Sequence, residues 1–139
     1  MCFTSIKEKD FDYNKITTKI GIKPTKARNS KDFPLPSIKS GIAKTEWTYI
    51  IKIQDCDDIA IPFDEILRIF GGKEDDINNI CSELDLEVTA VVSIHCKLGN
   101  TAMNYISQNA IHFLSRINAN AGFDLYCYDD NNELWLEGI

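Results

Sequence analysis

No stretch of this chain approaches the ~20 consecutive apolar residues that a membrane-spanning helix needs. The start, Met1-Cys2-Phe3-Thr4-Ser5-Ile6-Lys7, lacks a charged segment followed by an apolar one. No secretory signal is therefore expected, and a cytoplasmic protein is. The five cysteines, Cys2, Cys56, Cys81, Cys96 and Cys127, are odd in number, scattered, and form no C-x-x-C pair. That pattern argues against a disulfide framework or a thiolate metal site, and the thiols read as small hydrophobes of a reducing compartment. Only two histidines occur, His95 and His112, without H-x-x-x-H or H-E-x-x-H spacing, which removes the compact zinc motifs. No glycine-rich loop opens a helix; Gly71-Gly72 closes one, so no phosphate cradle is expected. None of these residues implies a cofactor.

What the chain does have is a sharp division of charge. Its 139 residues, 44% hydrophobic and 26% charged, describe one ordinary globular domain. Residues 1–52 hold 11 of the 15 Lys+Arg and 5 of the 21 Asp+Glu, a balance of 11 − 5 = +6. The remaining residues hold 4 and 16, a balance of 4 − 16 = −12. Asymmetry of this kind reports on partners more than on fold. The net charge of −6 argues against general binding to nucleic acid or to an anionic membrane.

The patterning predicts an α+β fold. Cys2 to Ile6 is a plausible first strand, and Asp10 or Asp12 caps a short helix that Gly21 and Pro24 end. Residues 23–44, with three prolines and six basic residues, read as a long basic loop. Glu46 to Gln54 alternates as a strand, with Trp47, Tyr49, Ile51 and Ile53 on one face. Two helices follow, one carrying Phe63, Ile66, Leu67 and Phe70, the other Ile77, Ile80, Cys81 and Leu84. Leu86 to Cys96 is the clearest strand. A helix from about Ala102 to Asn118 leads to a buried strand face of Phe123, Leu125 and Cys127. A polar turn at Asp129-Asp130-Asn131-Asn132 then closes a C-terminal hairpin at about 123–137. The expected architecture is a single-domain two-layer sandwich: a mostly antiparallel sheet of four to five strands with three to four helices on one face.

No coherent catalytic set emerges. His95 lies on the polar face of its strand, and a Cys-His nucleophile pair would need a thiol from a distant segment, since Cys96 points the other way. The carboxylates at Asp55, Asp57 and Asp58 follow a strand, where they can serve as Mg²⁺ ligands or as a solvated turn. Asp129, Asp130 and Glu133 form a second acidic knot. If the sheet brings the two together, they make one negative surface suited to a basic partner. Tyr126 and Tyr128 alternate with the apolar residues of their strand and supply exposed anchor rings beside it. The alternative is an anion- or nucleotide-binding protein, or enzyme, using Lys23, Lys26, Arg28, Lys31 and Lys39 of the basic loop.

A resemblance runs alongside this reading. A short helix ending in Ile20-Gly21-Ile22-Lys23-Pro24-Thr25, a basic loop, a strand opened by Trp47, a helix after Gly99 and the run Gly122-Phe123-Asp124-Leu125-Tyr126 together resemble a bacterial domain-of-unknown-function family, number 4279. The likeness covers roughly Phe3 to Tyr126; the loop is longer than the family pattern and the acidic tail falls outside it. The family implies no activity. By analogy it looks like other small acidic families found beside toxin genes as immunity proteins. The expectation is thus a non-catalytic binding protein that neutralises a basic toxin domain, with homo-oligomerisation left open.

Overall fold

The computed structural model describes residues 1–54, 58–97 and 105–128, with backbone alone for Cys96, Lys97, Cys127 and Tyr128. Among the described residues five strands form one sheet in the order β2-β3-β1-β4-β5, where β1 is Cys2–Ser5, β2 Lys26–Arg28, β3 Glu46–Thr48, β4 Leu86–Lys97 and β5 Asn120–Tyr128. All neighbours are antiparallel except β4 and β5, which run parallel. A parallel pair needs a crossover, supplied here by helix α5, Gln108–Arg116. The other helices are α1 (Tyr13–Ile20), α2 (Leu35–Lys39), α3 (Ala60–Phe70) and α4 (Glu74–Leu84). This is the expected single-domain α+β fold with a mostly antiparallel sheet.

Helix ends follow from local chemistry. Asp12 is the cap of α1, its side chain accepting from the Asn14 amide, and Gly21 ends the helix at φ 69°, a left-handed conformation that glycine adopts without a Cβ penalty. Glu74, Asp75 and Asp76 all sit in the first turn of α4, facing the positive end of its dipole.

The core lies between the sheet and the helices. Phe3, Trp47, Val88 and Phe70 are fully or nearly fully buried. Phe3 meets Trp47 edge-on at 5.2 Å between ring centroids, and Trp47 meets Phe70 at 6.4 Å. The buried Trp47 indole donates to Thr17 Oγ1 at 2.9 Å, so its one polar atom is satisfied.

Several details differ from the pattern-based expectation. Residues 23–44 are not one loop. Lys26–Arg28 pair with β3, a 3-10 turn forms at Ser30–Asp32, and α2 follows. The misleading residues were prolines: Pro34 and Pro36 open α2 instead of marking a loop, because a missing N–H costs nothing in the first turn. Asn29 and Asp32 cap the 3-10 turn reciprocally. The strand expected to reach Gln54 stops at Thr48, because β1 runs out beside it. The crossover helix begins at Gln108 rather than Ala102; residues 101–104 lie outside the described ones. β5 pairs with β4, and positions 129–137 of the expected hairpin lie outside the described residues.

Candidate functional site

β4 is twelve residues long and borders two different strands in succession. Its first part, Leu86 to Thr89, pairs with β1; from Thr89 to Lys97 it pairs with β5. The sheet is therefore two staggered blocks that share β4. At ~3.3 Å per residue β4 is about 40 Å long, whereas an eleven-residue helix such as α3 or α4 covers about 16 Å. The strands outrun the helical layer.

The consequences appear on both faces of the far block. Phe123 and Leu125, expected to be buried, are 49% and 65% exposed among the described residues. Phe123 still touches the layer through an edge contact with Phe63 at 5.6 Å. On the opposite face, Val91 is 44% exposed and Tyr126 46%. Tyr126 pairs with His95, and the two rings stack at 4.8 Å with 12° between their planes.

A cleft of about 460 Å³ opens between residues 49–53 and the stretch of β4 from Thr89 to His95. Its walls include Ile51, Ile59, Ile66, Val91, Val92 and Ile94, with Asp58 and His95 at the polar rim. Asp58 has a structural duty as well: its Oδ1 accepts from the Ala60 amide at 2.8 Å as α3 begins.

Of the residues expected to meet a partner, Asp58 and Tyr126 are thus linked through His95, which lines the cleft with one and stacks on the other. Asp55, Asp57, Asp129, Asp130 and Glu133 lie outside the described residues, and Tyr128 contributes the last backbone position of β5. The basic set is dispersed over several elements. Lys26 and Arg28 share one face of β2, where Lys26 Nζ and Arg28 Nε each lie 2.9 Å from Glu46 Oε1. The Arg28 guanidinium also covers the Phe33 ring at 3.4 Å. Lys31 is in the 3-10 turn, Lys39 is in the last turn of α2, and Lys23 lies between α1 and β2.

Sequence reasoning missed Ile50 and Val91, apolar residues in the outward phase of their segments. That phase error was the available signal, since an apolar residue on the wet side of an alternating strand marks a covered or binding surface.

The remaining titratable groups look structural. Burial pushes the Cys81 thiol up to about 11, and burial likewise raises Cys2, whose sulfur accepts from Thr48. Both are free thiols of low nucleophilicity. The Asp10 carboxyl is held below its usual range by hydroxyl donors from Thr45 and Ser30, the latter at 2.7 Å. Among the described residues no group of three or more His, Cys, Asp or Glu could hold a metal ion, and no helix is long and apolar enough to cross a membrane.

The chain belongs to the family described as Domain of unknown function (DUF4279), whose profile matches residues 2–128. No curated protein and no solved structure is significantly similar to it.

Proposed function

We propose that this protein is a non-catalytic binding module, an immunity-type protein that neutralises a basic toxin domain through the far end of its sheet. The observation that carries this reading is the continuity of Asp58, His95 and Tyr126, an acidic residue and two rings on one surface. Exposed Tyr supplies contact area and a polar tip at low entropic cost. The carboxylates supply orientation and speed of encounter with a cationic partner, and the net charge of −6 acts in the same direction. Asp55, Asp57, Tyr128, Asp129, Asp130 and Glu133 extend the proposed contact set along the sequence on either side of Asp58 and Tyr126.

The test is binding to the product of the reading frame immediately upstream, measured by calorimetry at two salt concentrations. Asp58→Asn retains an acceptor for the Ala60 amide while removing the charge, and is combined with Lys at positions 55, 57, 129 and 130. Binding that is tight in wild type, weakens with salt and is lost in the combined variant supports the reading. Binding indifferent to both salt and charge reversal refutes the acidic surface.

A further inference from the structure

We propose that the turn carrying α2 docks on an anionic lipid surface, setting Leu35, Ile38 and Ile42 among the headgroups while neighbouring lysines meet the lipid phosphates. The acidic end of the molecule takes no part, so this reading and the preceding one stand or fall separately.

α2 stands out energetically. At five residues it is far shorter than a helix that holds itself together in water, and such helices normally persist by burying an apolar face. This one keeps its apolar residues outside. Leu35 is 69% exposed, Ile38 40% and Ile42 73%. Neither they nor the neighbouring Phe33 belong to the core or pack against it. Among the described residues no helix or strand packs along α2.

Its shape is fixed instead by local devices at both ends. Pro34 and Pro36 preset the first turn. Phe33 and Ile38 occupy the two positions of a hydrophobic staple, and the Arg28 guanidinium covers the Phe33 ring. At the far end Gly41, at φ 73°, turns the chain so that its own amide reaches the Ile38 carbonyl and the Ile42 amide the Ser37 carbonyl, both at 3.1 Å. This is a Schellman closure, in which the residue at the Ile42 position usually folds back on the helix. Ser37 gives it nothing apolar to meet. The result is a rigid prong tipped with three aliphatic side chains.

Two features select lipid as the occupant. The first is backbone satisfaction, since an unpaired polar group carried into a bilayer is costly. Pro34 and Pro36 have no N–H. The amides of Ser37, Ile38, Ser40, Gly41, Ile42 and Ala43 all donate within the turn, to carbonyls of residues 34–38. Even the Ser40 hydroxyl turns back to the Ser37 carbonyl at 3.1 Å. A protein partner would find few donors to recognise here; a lipid interface needs none.

The second feature is charge. Residues 23–44 hold six basic residues and one acid, 6 − 1 = +5, which leaves −6 − 5 = −11 for the rest of the chain. Lys26 and Arg28 pair with Glu46, and Lys44 with Glu8. The one acid, Asp32, is occupied in capping the 3-10 turn. Lys31 and Lys39 are exposed beside the prong, Lys31 two residues before Phe33 and Lys39 one helical turn after Leu35. Lysines at this height strengthen attachment to an anionic leaflet, and an apolar tip with a basic rim anchors where either alone is marginal. The net negative charge opposes adsorption in arbitrary orientation and leaves the one in which this end leads. Two copies meeting prong to prong would bring like charges together.

The probe is sedimentation with vesicles of phosphatidylcholine alone, and of phosphatidylcholine with an equal part of phosphatidylglycerol, at two salt concentrations. Binding to the mixed vesicles should exceed binding to pure phosphatidylcholine at least about tenfold and weaken with salt. Leu35→Asp with Ile42→Asp should reduce it at least about tenfold, and Lys31→Gln with Lys39→Gln by a similar factor. Insertion is read separately from adsorption. A tryptophan introduced as Ile42→Trp should be quenched by lipid brominated in its acyl chains, whereas Ile111→Trp, at an exposed position of α5, should not.

Ile42→Trp keeps the apolar tip, so the quenching decides the matter even if the aspartate pair disturbs the fold. No binding to mixed vesicles, equal binding to both compositions, or Ile42→Trp quenched no more than Ile111→Trp would overturn the proposal. So would a dimer in sedimentation velocity that the aspartate pair dissolves, because a second copy would then cover the prong. None of these outcomes touches the acidic-surface reading, which is judged by salt and charge reversal on a protein partner.

Discussion

The two blocks of the sheet are built from similar residues and end in different states. In the near block, where β2, β3, β1 and the start of β4 pair, Phe3, Trp47 and Val88 disappear beneath α1, α3 and α4. In the far block, where β4 pairs with β5, Phe123, Leu125, Val91 and Tyr126 stand half in water. Composition does not separate them, since both are rich in aromatic and branched residues. Coverage does. Helices of eleven residues back only part of a twelve-residue strand, and β1 stops where the far block begins. One block is covered by its own helices, and the other leaves apolar side chains half in water. Exposed apolar groups collected at one end of a sheet are a common mark of an interaction surface.

The most severe way to break this comparison is truncation in each block. Trp47→Ala should cost about 3–5 kcal/mol, since it removes a fully buried indole and leaves a cavity. Leu125→Ala should change stability by no more than about 0.5 kcal/mol. Urea unfolding of both variants checks this; a large loss from Leu125→Ala would mean that the far block is part of the core.

Thiol chemistry gives the next effect. With its pKa pushed to about 11 by burial, Cys81 should react with iodoacetamide at pH 8 on the order of a hundredfold more slowly than an exposed cysteine. Mass spectrometry of the labelled peptide reads the rate directly, and unfolding in urea should abolish the difference.

A smaller effect is expected where the β2 segment is tied down. Thr45 is buried; its hydroxyl donates to Asp10 and accepts from the Ser30 amide at 3.0 Å. Thr45→Val should cost about 1–2 kcal/mol, because it strands both partners. The Asp10 carboxyl contributes with a definite sign. Its pKa is lowered by folding, so its contribution is fully present above the unfolded carboxylate value of about 4 and is lost as the pH falls through the lower folded value. Asp10→Asn should lower stability at neutrality, where the carboxylate's contribution is otherwise fully present, and converge with wild type in acid, so that acid unfolding is flattened below about pH 4. The smallest shift concerns anions. With Lys26 and Arg28 both paired to Glu46, millimolar nucleotides or phosphosugars should leave the melting temperature unmoved. Clear stabilisation would revive the basic-segment reading.

The near block was legible from sequence because its signals agree. Phe3, Trp47 and Val88 all fall in the inward phase, Gly21 and Asp12 mark the ends of α1, and three acids mark the start of α4. The far block was legible only in part. Alternation placed Tyr126 opposite Phe123, and the stack with His95 fits that. The parallel register of β5 was not visible, because pairing depends on a crossover that no local pattern encodes. Residues 23–44 misled for a simpler reason: Pro34 and Pro36 carry the same signal at a helix start as in a loop. The cleft had one trace, the outward Ile50 and Val91, which both line it.

Amide hydrogen exchange at single-residue resolution tests the central claim most directly. The amides of Phe3 and Val88, in the covered near block, should exchange slowly, and those of Val92 and Ile94, in the block where β4 pairs with β5, faster. Equal protection in the two blocks would mean that the far block is as well covered as the near one.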